Sequence, residues 1–396
     1  MSTTAPLPPL RSQENPPIYR DVRVIRWVGQ IIVLAIVLGI AYYLLSNVRT
    51  NLRGSGLPTG FGFLQGRFGS AISGIDDAAG LTVLQAFGAG YMNTVRVIMV
   101  GIPFCTIIGI LIGMARLSTN AAVRAFGTVY VETFRNIPAL VWIFLVHFAI
   151  SLSVLPPITN EVTPGGFLVI SNRGIGIPWL NPASSGIVFV GFIVLGMVAA
   201  YLMTRYRGSV NARTGDPARG GVYGTAAFLG VLVIGHFVAG NALALDPAVI
   251  QGRQIGGGMN VQIPYFSVTV ALTLYTASHV AEIVRGAILA IHKGQSEAAN
   301  AIALSTVQRY RFIILPQAFR IMIPPLANQY LNITKNSSLA VAFGYIEIAA
   351  IFGRIVNNAA PAVQGVVILM GLYLTFSLSI SLIANFFNRR LALETR

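Results

Sequence analysis

Residues 294–318 read GQSEAANAIALSTVQRYRFIILPQA. The stretch is mildly polar and rich in alanine, the strongest helix former, yet long apolar runs lie close on both sides of it. It carries Glu297, Arg309 and Arg311 in a chain with only 12 acidic residues. An insert of this kind fits as a loop joining two membrane spans.

Composition agrees. The 396 residues are 55% hydrophobic and 10% charged, against about 25% charged in soluble domains. Too few polar groups remain to cover a globule, so most of the chain must face lipid or protein. A net charge of +15 points to nucleic acid only when it forms a patch on a soluble fold. Here the basic residues lie between apolar runs, so nucleic acid is not expected as a partner. The single cysteine, Cys105, excludes an intrachain disulfide. The polar, Pro-rich start of the chain does not read as a cleavable signal, because the first apolar run begins late and is too long.

A spanning helix needs about 20 apolar residues. Runs at 27–48, 97–115, 136–160, 174–204, 220–245, 254–281 and 355–388 qualify. A further run at 319–344 is interrupted by Lys335 and by Pro324-Pro325. The expectation is an all-α polytopic bundle of about eight spans. With both termini cytoplasmic, 17 of the 27 basic residues fall on the inner side and 6 on the outer, while Arg96, Arg135, Arg285 and Lys335 lie within or beside spans. The positive-inside rule favours that orientation and puts 294–318 in the cytoplasm. The division that follows is a cytoplasmic tail 1–23, a first helix 24–48, an external loop 49–90, a transmembrane unit 91–388 and a cytoplasmic tail 389–396. Loops 160–182 and 246–264 are also external.

No G-x-x-x-x-G-K-[ST] loop exists, and the only lysines are Lys293 and Lys335. The four histidines have no metal spacing, and no nucleophile–base pair stands out. Ionisable residues at membrane depth either border a water-filled path or form interhelical ion pairs. Glu132 with Arg135, and His279 with Glu282 and Arg285, are spaced for one helix face. Both readings stay open for them. Asn328, Asn332, Lys335, Asn336, Ser337 and Ser338 follow the two prolines, which should break the helical ladder and free carbonyls. These groups suit contact with a polar solute. In the opening stretch, Ser296 is a candidate N-cap, with Glu297 in the first turn. Pro316 should end regular structure before the next span. The result is a short, small-faced cytoplasmic helix, either lying on the membrane or docking a partner.

The stretch resembles the EAA loop of ABC importer permeases. Glu297-Ala298-Ala299 and Leu315-Pro316 match that pattern, while its glycine position holds Ala303, a change that should stiffen the turn between two short helices. "MNTVRVIMVGIPFCTIIGILIGMARLS", "VYVETFRNIPALVWIFL", "AEIVRGAILAIHKGQSEAA" and "NQYLNITKNSSLAVAFGYIEI" are similar to permeases of polar amino-acid uptake. The first span and the pair at about 185–245 are additional, as in one subunit of the general L-amino-acid systems. The resemblance implies a type I permease core and a coupling site at Glu297, Ala298, Ala299, Ala303, Leu304 and Ser305. It implies an ABC ATPase partner in two copies holding ATP and Mg, with no cofactor in this chain itself. A second, different permease subunit and a periplasmic amino-acid-binding protein complete the expected system, in the inner membrane of a bacterium. An ion-gradient carrier would instead show matched broken helices, and a purely structural membrane subunit would lack the polar residues of the 319–344 run.

Overall fold

The computed structural model describes residues 22–54, 60–72, 80–158, 168–180, 186–214, 219–240, 245–252, 254–357 and 362–391. Of the tails expected at 1–23 and 389–396, residues 1–21 and 392–396 lie outside these, while 22–23 and 389–391 belong to helices.

Helices dominate. Six are long and apolar enough to cross a membrane: α1 (Val22–Gly54), α2 (Val83–Ala115), α5 (Gly186–Thr214), α6 (Gly220–Val238), α7 (Ile263–Leu289) and α12 (Ala362–Leu391). Two further spans are bent. α3 (Ala121–Asn136) turns by 104° into α4 (Ala139–Phe144) and its π-helical extension Leu145–Leu152. α10 (Leu315–Asn336), extended by the 3-10 segment Ser337–Phe343, turns by 49° into α11 (Ile348–Asn357). Counting each bent pair as one span gives up to eight.

Several expected boundaries shift. The run at 136–160 is the bent pair, and its first helix begins at Ala121. The eighth run starts as the separate α11. Pro324 and Pro325 sit inside α10, which continues through them. Pro316 lies in its first turn, directly after the π-helical segment Tyr310–Ile314.

The beginnings of the runs at 174 and 254 are strands rather than helix. β1 (Val169–Ser171), β2 (Gly174–Ile177) and β7 (Met259–Gln262) form one antiparallel sheet, with Ile175 opposite Val261. β3 (Trp179–Leu180) pairs with β4 (Leu245–Asp246), and β5 (Val249–Gln251) pairs with β6 (Gln254–Gly256). The two loops flanking α5 and α6 therefore pair with each other, over a small core of Ile158, Val169, Ala248 and Ile255. The extra helix pair is an insertion strung between paired strands. Its own contact relies on small residues: a Cβ on Gly235 would stand 2.6 Å from Phe192 Cβ.

The centre of the bundle is α7, which buries Ser267, Ala271, Ala277, Ala281 and Val284 among others. Beside lipid there is little hydrophobic drive between helices, so close approach of small residues holds them. α2 supplies Gly109 and Gly113, spaced i, i+4. A Cβ on Gly113 would meet Ala281 O at 2.8 Å, and one on Gly101 would meet Ile333 Cδ1 of α10 at 2.8 Å. Gly101, Gly109 and Gly113 face Thr273, Val280 and Val284 in turn, so α2 and α7 run parallel. Spans two and six of an eight-span chain must do so. α1 stands apart, with none of its membrane window buried.

Candidate functional site

The insert that opened the sequence reading forms two short helices. α8 (Lys293–Ala301) starts three residues before the expected cap. His292 is the N-cap: its Nδ1 accepts from Gly294 N at 3.1 Å. Ser296 is thus inside the helix, and Glu297 is in its second turn. α8 ends in a Schellman motif. Ala303 N donates to Asn300 O at 2.9 Å, and Leu304 N donates to Ala299 O at 3.1 Å. That motif needs one residue in the left-handed region, usually glycine. Ala303 fills it with φ +54°, the one non-glycine with positive φ among the described residues. The turn expected of a glycine is therefore made with alanine in its place.

Ser305 then caps α9 (Thr306–Arg309) with a full capping box: Gln308 N donates to Ser305 Oγ at 3.3 Å, and Ser305 N donates to Gln308 Oε1 at 2.9 Å. The π-helical turn Tyr310–Ile314 joins α9 to α10 without a break. Two side-chain bonds fix the pair. Arg309 Nη1 donates to Asn300 Oδ1 at 2.9 Å, and Gln317 Nε2 donates to Gln295 Oε1 at 3.3 Å. Ala299 is fully buried, whereas Glu297, Ala298, Ala303 and Ser305 are exposed and Leu304 is half-buried. On the same helix pair Ile302 is 69% and Val307 75% exposed. The helix pair thus carries an exposed acid and bare aliphatic side chains on a backbone fixed by caps.

The polar residues of α10 divide. Asn328, Asn332 and Lys335 are exposed along one stripe that continues to Ile321 and Pro324. Asn336 and Ser338 are half-buried. Ser337 is buried and bonds inward, its Oγ donating to Thr334 O at 2.7 Å. Ser338 Oγ donates to Lys335 O at 2.8 Å.

The acidic residues also separate. Glu132 accepts from Asn136 Nδ2 at 3.3 Å and forms no ion pair among the described residues. Arg135 reaches across to Glu282 Oε2 at 3.7 Å, and Arg285 meets Glu282 Oε1 at 2.9 Å. Arg116 also donates to Glu282. One carboxylate thus ties α2, α3 and α7 together, with its three arginines supplying the counter-charge. His279 lies on that helix but bonds Tyr275 O at 3.1 Å instead.

Sequence reasoning passed over Glu347. It is fully buried, accepts from Ala350 N at 3.0 Å and Tyr373 Oη at 2.8 Å, and caps α11. An acid directly before a helix, between apolar residues, was the available signal.

The model of the family described as "Binding-protein-dependent transport system inner membrane component" matches residues 227–393. The "General L-amino acid transport system permease protein AapQ" of Rhizobium johnstonii is 39% identical over 98% of this chain and 96% of its own. The "Putative amino-acid ABC transporter permease protein YhdX" of Escherichia coli is 37% identical over 93% of this chain and 95% of its own. The "Glutamate/glutamine/aspartate/asparagine transport system permease protein BztB" of Rhodobacter capsulatus is 34% identical over 93% of each. At 98% coverage, the alignment with AapQ takes in the first span and the inserted α5–α6 pair as well as the core. The chain belongs to the family of amino-acid ABC transporter permeases.

Proposed function

We propose that this permease provides the path for L-amino acids in an ATP-driven importer, fed by a periplasmic binding protein and coupled to a separate ATPase through α8 and α9. ATP and Mg belong to that ATPase, present in two copies, and a second, different permease subunit completes the path. The chain sits in the inner membrane with both termini cytoplasmic. One observation carries the coupling: a capped, pinned helix pair exposes Glu297, Ala298, Ile302 and Val307, then runs unbroken through the π turn into α10. Movement imposed on α8 and α9 is thereby handed to the helix bearing Asn328, Asn332 and Lys335. Those three exposed side chains, with Asn336 and Ser338 beside them, border the path. Ser337 and Glu282 support it from behind, and Glu132 and Arg135 flank its inner end.

The test is Glu297→Lys in the reconstituted importer. Uptake should vanish while the subunit stays in the membrane and keeps its partner permease. Full transport in ATP-loaded vesicles would refute the docking role. An ion-gradient carrier is the rival, and the two bent spans (104° and 49°) are its one point of support. Uptake that survives ATP depletion and stops with an uncoupler would decide for it.

A further inference from the structure

Residues 204–225 carry the chain from α5 into α6 and hold Arg205, Arg207, Arg213 and Arg219 against one acid, Asp216. Among the described residues no carboxylate pairs with any of the four. Their level is fixed from both helices. Residues 186–203 are uncharged and make about 27 Å of helix, close to the thickness of a hydrocarbon core. Arg219 directly precedes the apolar α6. Thr204 Oγ1 donates to Gly220 O at 3.3 Å, which sets the two boundaries side by side. The paired strands β3 and β4 flank the opposite ends of both helices.

Tyrosines orient two of these cations. Arg205 Nε donates to Tyr201 Oη at 3.1 Å, which leaves its two terminal nitrogens for a ligand. The Arg207 guanidinium lies 4.2 Å from the centre of the Tyr223 ring of α6, and a guanidinium stacked by its face keeps its donors in plane. Arg205, Arg213 and Arg219 are exposed and Arg207 is half-buried. From Arg205 an aliphatic stripe runs back along one face of α5: Leu202, Val198 and Leu195 are 59%, 47% and 54% exposed. The two helices pack on each other, and a Cβ on Gly224 would stand 3.0 Å from Ala200 O. Only 11% of each apolar segment is buried within the chain.

We propose that this basic end of the α5–α6 pair binds an anionic phospholipid of the inner leaflet. The phosphodiester sits among Arg205, Arg207 and Arg219, and an acyl chain lies along Leu202, Val198 and Leu195. Its assignment to the inner leaflet rests on the orientation proposed above. Basic pockets between spanning helices on the cytoplasmic side suit anionic headgroups. The continuous stripe selects a lipid over a soluble phosphate, which would use the arginines and leave the aliphatic face bare. The inserted pair is thereby tied to the surrounding bilayer rather than to the bundle.

The experiment places the assembled importer, with cysteine-free partner subunits, in phosphatidylcholine vesicles. Cys105 is buried, so a fluorophore on Met203→Cys reports from the site alone. Spin-labelled phosphatidylglycerol and spin-labelled phosphatidylcholine are the quenchers. Phosphatidylglycerol should be preferred there by about tenfold or more. Arg207→Gln should lower that preference about fivefold, and changing all four arginines to glutamine should abolish it. Changing all four to lysine should keep most of it, because the charge remains. Glycerol 3-phosphate at matched ionic strength should leave the quenching unchanged. No preference in the unaltered importer overturns the proposal, as does a preference that survives the fourfold glutamine change. Displacement by glycerol 3-phosphate overturns it in favour of a soluble phosphate. Loss of the second permease from the fourfold glutamine variant overturns it in favour of a protein contact. Failure of the orientation shows separately, as labelling of Arg213→Cys by an impermeant maleimide added outside intact cells.

Discussion

Gly109 and Val280 approach so closely that a Cβ on the glycine would stand 2.4 Å from Val280 Cγ1 and 3.0 Å from Ala277 O. Both contacts lie in the parallel α2–α7 seam, and neither neighbour is the free end of a long side chain. Gly109→Ala should therefore push the helices apart and cost about 1–3 kcal/mol. Gly88 provides the control within the same helix, since a Cβ there meets nothing within 4 Å. Gly88→Ala should be neutral or slightly stabilising through helix propensity. Thermal unfolding of the detergent-solubilised subunit measures both, and an unchanged midpoint for Gly109→Ala would contradict the seam.

Glu282 neutralises arginines that differ in exposure. Arg116 is 10% exposed and Arg135 41%. Losing the exposed partner leaves Glu282 with Arg116 and Arg285, so Arg135→Ala should cost under about 1 kcal/mol. Arg116→Ala should cost about 1–3 kcal/mol, because a part-buried charge-assisted bond is lost. Glu282→Gln should cost at least as much as Arg116→Ala, since three guanidinium groups would then face one another unneutralised. The order of thermal midpoints is the readout, and a reversal of the two arginine variants would count against the exposure argument.

Much of this was legible in the sequence, and the exceptions have physical causes. Apolar runs located the spans because lipid demands continuous helices of a set length. Strands of two to four residues escaped, since Gly174-Ile175-Gly176-Ile177 is as apolar as the helix that follows. The prolines misled because Pro316, Pro324 and Pro325 sit in a helix whose neighbours accommodate the lost bonds. Ser296 looked like a cap by residue type, but His292 offered an acceptor one turn earlier. Glu347 left only the local signal of an acid before a helix, because its tie to α12 is made with Tyr373, 26 residues further on. The two short helices after α7 were readable because their helix formers and turn are local, although their first cap proved to be His292.

Ala303 holds a left-handed conformation that costs an L-residue about 1–2 kcal/mol and glycine almost nothing. Ala303→Gly should stabilise the α8–α9 turn by about 1 kcal/mol, offset in part by the greater freedom of glycine in the unfolded chain. Ala303→Val should do the reverse, because a β-branched residue tolerates positive φ least. Hydrogen exchange at the amides of Ala303 and Leu304, which donate the two closing bonds, reports the change directly. Slower exchange in the glycine variant and faster exchange in the valine variant is the expected pattern. Equal exchange in all three would mean that the turn is not under this strain.

Glu347 supplies two acceptors at the bend before α11. Oε1 takes Ala350 N at 3.0 Å, the start of α11, and Oε2 takes Tyr373 Oη at 2.8 Å, which joins α12 to the bend. Glu347→Leu would fill similar space but strand one buried N–H and one hydroxyl, at about 1–3 kcal/mol for each group. Glu347→Gln keeps one oxygen acceptor and replaces the other with an amide donor, so it should retain one of the two bonds. Tyr373→Phe removes only the hydroxyl, and its loss should largely disappear when combined with Glu347→Leu, because the two act through one bond. Thermal midpoints of the two single variants and the double variant close this cycle. Strict additivity would show that Glu347 and Tyr373 do not hold the bend together.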